Sequence, residues 1–319
     1  MKTIAMKDKK TKTIKSEVFH KIYGLTVSNA EPIILDDFKL YNYDLHKMYL
    51  GNTYFPENPN VIDGYGFSLD EADKNIAWVS LMVDATDSNE AKNVAYERFE
   101  ALQGIFRFLV SFLGEDYDIG ILNYRRLIHD ETIILSPRSR TLSGSAEGAR
   151  QSIDYKILKA LLSERAFSIE DIIGICCKKQ KNKMEKRLIT SLVFYGKAFF
   201  DFGKSISLLE SMMAIEALVQ RESDQLVSQS ISAQIVEYCV FLLGKTYDDR
   251  IFIDKQIKYF YHIRSKLAHG ESSEVSKQDC NDVIRYARAL ITIFITNSDI
   301  NELSNPDDLR EYILKLKYR

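Results

Sequence analysis

From about residue 150 onward, apolar residues recur at steps of three and four, in segments that end at glycine or proline. That rhythm commits the second half of the chain to helices, because only a helix brings such positions onto one face. The spacing predicts helices over about 151–164, 183–202, 204–220, 226–243, 248–269 and 277–297, with a short tail helix near 307–317. Gly203, Gly244 and Gly270 mark ends, as does Asn305-Pro306. There is no internal repeat, no low-complexity tract and no glycine loop that would cradle a phosphate. The tripeptide Gly64-Tyr65-Gly66 lacks the strand–helix context that a cofactor loop needs.

The first half reads as mixed α/β. Ile33 to Leu45 and Ile76 to Val83 have strand character; in the second, Ala77, Val79, Leu81 and Val83 share one face, with Trp78 and Met82 on the other. Asp87 is expected to cap a helix whose stripe is Ala95, Phe99, Leu102, Phe106, Leu109 and Leu113, closed by Gly114. Ile119 to Leu127 and Thr132 to Leu135 look like a strand pair around His129-Asp130. Ser136 to Ser145 is small, polar and rich in helix breakers, which marks a linker or mobile loop. The expected fold class is α+β. An α/β unit at 1–145 that senses or recruits precedes an all-helical unit at 150–319, and a length of 319 residues suits two such domains.

The formal net charge is −2, so the molecule lacks the global basic field that drives non-specific nucleic-acid binding, and such a site would have to be local. Cys176, Cys177, Cys239 and Cys280 form no C-x-x-C and have no histidine at zinc-ligand spacing, so reduced thiols and no metal or other cofactor are expected. The lysine-rich start, MKTIAMKDKKTKTIK, has no apolar leader core, and no run reaches about 18 apolar residues. A cytoplasmic protein that does not contact the membrane is expected.

Two side chains break the helical pattern. Arg264 follows Ile253, Ile257 and Phe260 and precedes Leu267, in steps that make one face, where a guanidinium is costly unless paired or employed. Glu216 lies in Ser211-Met212-Met213-Ala214-Ile215-Glu216-Ala217-Leu218-Val219, on one face with Leu209, Met213 and Gln220. A semi-buried carboxylate and a semi-buried guanidinium on neighbouring helices are natural partners, and a bidentate pair would orient the arginine. The competing reading leaves Glu216 on a solvated edge.

The segment Lys204 to Thr296 resembles the Apea-like branch of the HEPN (higher eukaryotes and prokaryotes nucleotide-binding) superfamily. The matching pieces are Ala214-Ile215-Glu216-Ala217-Leu218, and then Tyr261-His262-Ile263-Arg264-Ser265-Lys266-Leu267-Ala268-His269-Gly270. The resemblance implies an all-α bundle that forms a homodimer, so that two Arg-x-x-x-x-His motifs face one cleft. It also implies a metal-independent endoribonuclease acting on RNA, in a toxin system or in bacterial anti-phage defence, with a trigger sensed by the N-terminal unit. The alternative it allows is a non-catalytic module for dimerisation or for binding nucleic acid or nucleotide. Arg264 and His269 would be catalytic, with Glu216, Ser265 and Lys266 in support. Ser265 stands where asparagine, aspartate or histidine is common in the family.

The chemistry of these residue types agrees. Metal-free RNA cleavage uses the 2′-hydroxyl as internal nucleophile and needs a base, an acid and positive charge on the phosphate. Histidine serves as base or acid near neutral pH, and arginine brings a permanent fork that fits phosphate oxygens. Positions five apart on an ideal helix point about 140° apart. Arg264 and His269 can therefore meet on one phosphate only if the helix unwinds before Gly270 or a second subunit completes the site. Arg285 and Arg288 could line the same cleft, and the run Lys178, Lys179, Lys181, Lys183, Lys186 and Arg187 could track a nucleic-acid backbone. Intrahelical and solvated roles are the competing readings for both. Tyr41, Tyr43, Tyr49 and Tyr54 could stack bases or pack a sheet, and His262 is read as a surface residue. His20, His46 and His129 have no ligand or triad context.

Overall fold

The structure, a computed structural model, describes residues 13–60, 77–114, 117–122, 132–135, 142–145, 151–164, 167–200, 203–220 and 231–318. Strands β1 (Ile14–Ile22), β2 (Leu25–Thr26), β3 (Ile33–Leu35) and β4 (Phe38–Asn42) lead into helix α1 (Tyr43–Tyr54). Strand β5 (Ala77–Ala85) and helix α2 (Ser88–Val110) follow. Four strands make one antiparallel sheet in the order β1-β5-β4-β3. In its register Val79 lies between His20 and Leu40, and Leu81 between Val18 and Phe38. Ala77, Val79, Leu81 and Val83 are buried on the face that α2 covers, as alternation requires. Trp78 packs with Tyr41 and Leu50 in a small separate cluster on the other face, while Met82 is exposed there.

Two features of this sheet depart from the sequence reading. Residues 33–45 are a hairpin and the start of a helix rather than one strand. Asp36, with φ 56°, turns the chain between Leu35 and Phe38, a backbone state that aspartate tolerates better than most residues. The Asn42 side chain then accepts from Leu45 N–H and starts α1. Strand β1 was also hidden, because Ser16 and His20 interrupt its inward register, Ile14 at its start is exposed, and lysines flank Val18 and Ile22.

The N-cap on α2 is as expected, with Asp87 accepting from the N–H groups of Asn89 and Glu90, but the helix ends at Val110, and Leu113 and Gly114 lie in and after the turn beyond it. Next, β6 (Thr132–Leu135) pairs antiparallel with β7 (Leu142–Ser145). The partner of Thr132–Leu135 is thus the end of the expected loop, not Ile119 to Leu127, and that loop is in part a strand. Ile119 instead lies in an irregular segment where Tyr23 and Gly120 exchange backbone hydrogen bonds of 2.8 and 3.1 Å. Gly64 to Gly66, residues 123–131 with His129, and residues 136–141 lie outside the described residues.

Strand β8 (Ile153–Asp154) runs parallel to β2, and Asp154 caps α3 (Tyr155–Ser163), so the helix expected from 151 begins four residues later. Helix α4 (Ile169–Cys177) was not foreseen; it is short, starts at the Ser168 cap and buries Ile169, Ile172, Ile173 and Cys176. Apart from the short α10, which was not expected, the remaining helices fall close to expectation, with residues 201–202 and 226–230 of the expected helices outside the described residues. They are α5 (Lys183–Phe200), α6 (Lys204–Val219), α7 (Ile231–Leu243), α8 (Tyr247–Ala268), α9 (Lys277–Thr296), α10 (Ser298–Asn301) and α11 (Pro306–Lys317). Capping boxes at Thr246/Asp249, Ser276/Asp279 and Asn305/Asp308 open α8, α9 and α11.

Helix α2 crosses α5 at two glycines. A Cβ on Gly104 would lie 2.6 Å from the Leu192 carbonyl oxygen, and one on Gly196 would lie 2.9 Å from the Gly104 Cα. Beside this crossing the buried Arg107 donates to the carbonyls of Ile119 and Gly196, each at 3.2 Å, with the Asp118 carboxylate at 3.3 Å. The apolar core therefore runs unbroken from the sheet through α2 into α5, α6 and α9. Among the described residues no helix is long and apolar enough to cross a membrane.

Candidate active site

Helix α8 buries Ile253, Ile257, Phe260 and Ile263 and half-buries Leu267. The inward position is thus Ile263, and Arg264 lies at the edge of the stripe with 28% of its side chain exposed. From there it reaches α6. Its Nη2 donates to Glu216 Oε2 at 2.8 Å, and the guanidinium stands 5.9 Å from the centre of the Tyr261 ring. Glu216 is only 8% exposed, although Leu209 and Gln220 on its face are half-buried and Met213 is exposed. The solvated-edge reading of Glu216 is therefore set aside.

The pair makes one hydrogen bond and not the expected two-pronged fork. Glu216 Oε1 and Arg264 Nε are both buried without a hydrogen-bond partner. Burial pushes the Glu216 carboxyl above its ordinary range, and the charge and hydrogen bond of Arg264 pull it back only in part. Among the described residues the arginine is the sole compensating charge for this carboxylate.

The far end of α8 is closed by a Schellman motif. Glu271 N–H bonds the Lys266 carbonyl at 3.0 Å and Gly270 N–H bonds that of Leu267 at 3.1 Å, with Gly270 at φ 76°. His269 is the capping residue; it is exposed, and its ring has no hydrogen-bond partner among the described residues. The helix does not unwind before Gly270, so Arg264 and His269 stay on different sides of α8. Glu216 and Arg264 are brought together; His269 is not brought to them within one chain.

The other candidates divide. Ser265 and Lys266 are half-buried beside the motif, and Lys266 forms no ion pair among the described residues. Arg285 is exposed and pairs with Asp282 one turn back. Arg288 is engaged at the end of α2. It donates to the Ser111 carbonyl at 2.8 Å and lies 5.2 Å from the Phe112 ring, where its charge complements the C-terminus of α2. In the lysine run, Lys178 pairs with Glu185, and Arg187 bonds the Gln220 carbonyl at the end of α6. Asn182 and Glu185 exchange cap hydrogen bonds at the start of α5. His262 is exposed, His46 is buried, and His20 packs against Tyr96 and Phe99. Tyr41 is buried, whereas Tyr49 and Tyr54 are exposed.

The chain matches no protein-family model, no curated protein and no solved structure.

All four cysteines are free and buried, and burial pushes the thiols of Cys176 and Cys239 up to about 12. Asp36, Asp37 and Cys177 form the one cluster among the described residues with metal-ligand donors close together. A protein cation already sits there, since Arg98 Nη2 lies 3.1 Å from Asp37 Oδ2 and 3.2 Å from Cys177 Sγ. What the sequence reading passed over is the outer face of α8. Lys255, Lys258, His262, Lys266 and His269 recur there at steps of three, four, four and three, with Phe252 and Tyr259 exposed beside them.

Proposed function

We propose that this chain is a HEPN-type endoribonuclease that works as a homodimer in the cytoplasm, without a metal, in anti-phage defence or a toxin system. The observation that carries the reading is an arginine anchored by a buried carboxylate, followed five residues on, at the end of the same helix, by an exposed histidine whose ring has no partner among the described residues. In the reaction the 2′-hydroxyl attacks the adjacent phosphorus and the 5′-oxygen leaves. The products are a 2′,3′-cyclic phosphate and a free 5′-hydroxyl. His269 takes the hydroxyl proton or protonates the leaving oxygen, and a second His269 from the partner subunit takes the other role. Arg264 neutralises charge on the five-coordinate phosphate while Glu216 limits its rotation, with Ser265 and Lys266 beside it. An N-terminal sheet packed on the bundle through α2 and α5 is the proposed route for a trigger.

The test is cleavage of total RNA in EDTA with end-group analysis of the fragments. Cyclic-phosphate ends from the wild type, absent from His269→Ala, are expected; cleavage that survives both His269→Ala and Arg264→Ala would remove these residues from the mechanism. A non-catalytic dimerisation and binding module is the second reading. The single Arg264–Glu216 hydrogen bond favours it, because an arginine so engaged serves as a strut between α6 and α8. On that reading Arg264→Ala loses stability and no cleavage is found in any variant.

A further inference from the structure

We infer that the outer face of α8 is a binding track for single-stranded nucleic acid, leading to His269. This deepens the ribonuclease reading and rests on it only for the strand being a substrate. At about 100° per residue, Lys255, Lys258, His262, Lys266 and His269 fall within an arc of roughly 80°, opposite the buried Ile257 and Phe260. The stripe is about 21 Å long. No acidic residue occurs from Lys255 to His269, in a chain whose net charge is −2. Lys255 and Lys266 have no ion pair among the described residues, while Lys258 is held by Asp254 at 2.8 Å in an exposed pair that a phosphate can displace. Among the described residues the other acids near the stripe are Asp248, two turns before Lys255 on the same face, Asp279, beside the Tyr259 hydroxyl, and Glu271 and Glu274 beyond the cap.

Cations alone would suit a duplex equally well. The aromatic rings decide for a single strand. Phe252 is 59% exposed and Tyr259 45% exposed on the same side as the lysines, and an exposed ring among cations offers a platform to an unpaired base that a paired one cannot use. Desolvating such rings against bases also gives them a role that water does not.

The experiment measures the full-length protein binding a fluorescent 12-nucleotide 2′-O-methyl strand, which cannot attack its own phosphate, by anisotropy over a range of salt. The Lys255→Gln/Lys258→Gln/Lys266→Gln variant is expected to lose about tenfold or more in affinity at low salt. It should also flatten the plot of log affinity against log salt by about 2, because each phosphate that a lysine neutralises adds roughly 0.7 to the slope. Phe252→Ala/Tyr259→Ala should lose roughly tenfold with the slope unchanged. A Lys178→Gln/Lys186→Gln control should bind as wild type. Wild-type protein that does not bind, a triple variant with unchanged affinity and slope, or preference for a duplex of equal length would each overturn the track. Binding that follows these expectations without RNA cleavage would sink the ribonuclease reading and leave the track standing.

Discussion

Removing the Arg264 guanidinium leaves the buried Glu216 carboxylate with no compensating charge among the described residues. A carboxyl whose pKa in the native state lies above its ordinary 4.5 holds its proton more tightly folded than unfolded. Stability then falls as pH rises through the interval between the ordinary and the raised value. Arg264→Ala widens that interval upward. The variant is expected to lose roughly 1–3 kcal/mol at pH 7, and less near pH 4.5, where the carboxyl is largely protonated and needs no cation. A Glu216→Gln background should erase most of the difference. Denaturant unfolding at the two pH values checks this, and an equal loss at both would mean that the two groups are not coupled. His269→Ala, at an exposed position whose ring has no partner among the described residues, should change stability by no more than about 0.5 kcal/mol while removing cleavage, a combination that separates chemistry from folding.

Helix ends were the most legible elements. Asp87, Gly270 and Asn305-Pro306 act where they stand, because a cap depends on residues within one turn of itself. The hairpin at Asp36, the strand β1 and the short helix α4 were hidden for the opposite reason: each is stabilised by what lies across from it. The crossing of α2 and α5 is the clearest such case, since nothing around Gly104 or Gly196 announces that the two backbones touch. Gly104→Ala places a methyl against a carbonyl of α5 that cannot retreat without moving the helix. It should destabilise by roughly 1–3 kcal/mol, read as a lower midpoint in urea; an unchanged midpoint would mean that the helices part there at little cost.

At the scale of the whole molecule, the core that runs through the crossing of α2 and α5 ties the sheet to the bundle, helped by Arg107 and by Arg288 on the Ser111 carbonyl. Thermal unfolding is therefore expected as one transition, with the single Trp78, which reports on the sheet, changing together with helical ellipticity. Two separated transitions would show independent units. The proposed dimer makes its own prediction. Wild-type protein exchanged with an equal amount of His269→Ala should lose about half its cleavage, since mixed dimers hold one histidine where the reaction needs two. Cleavage undiminished after verified subunit exchange would mean that each chain's histidine works alone. Local order was legible from the residues alone: the α+β class, the helical second half, the caps and the anomalous Arg264 and Glu216 all follow from spacing along the chain. The tertiary structure decided which of those spacings meet. It joined Arg264 to Glu216 across two helices, turned Arg288 to α2, kept α8 helical up to His269 and set the sheet on the bundle. Such contacts join residues far apart in the chain, and their energy depends on packing that no local pattern encodes.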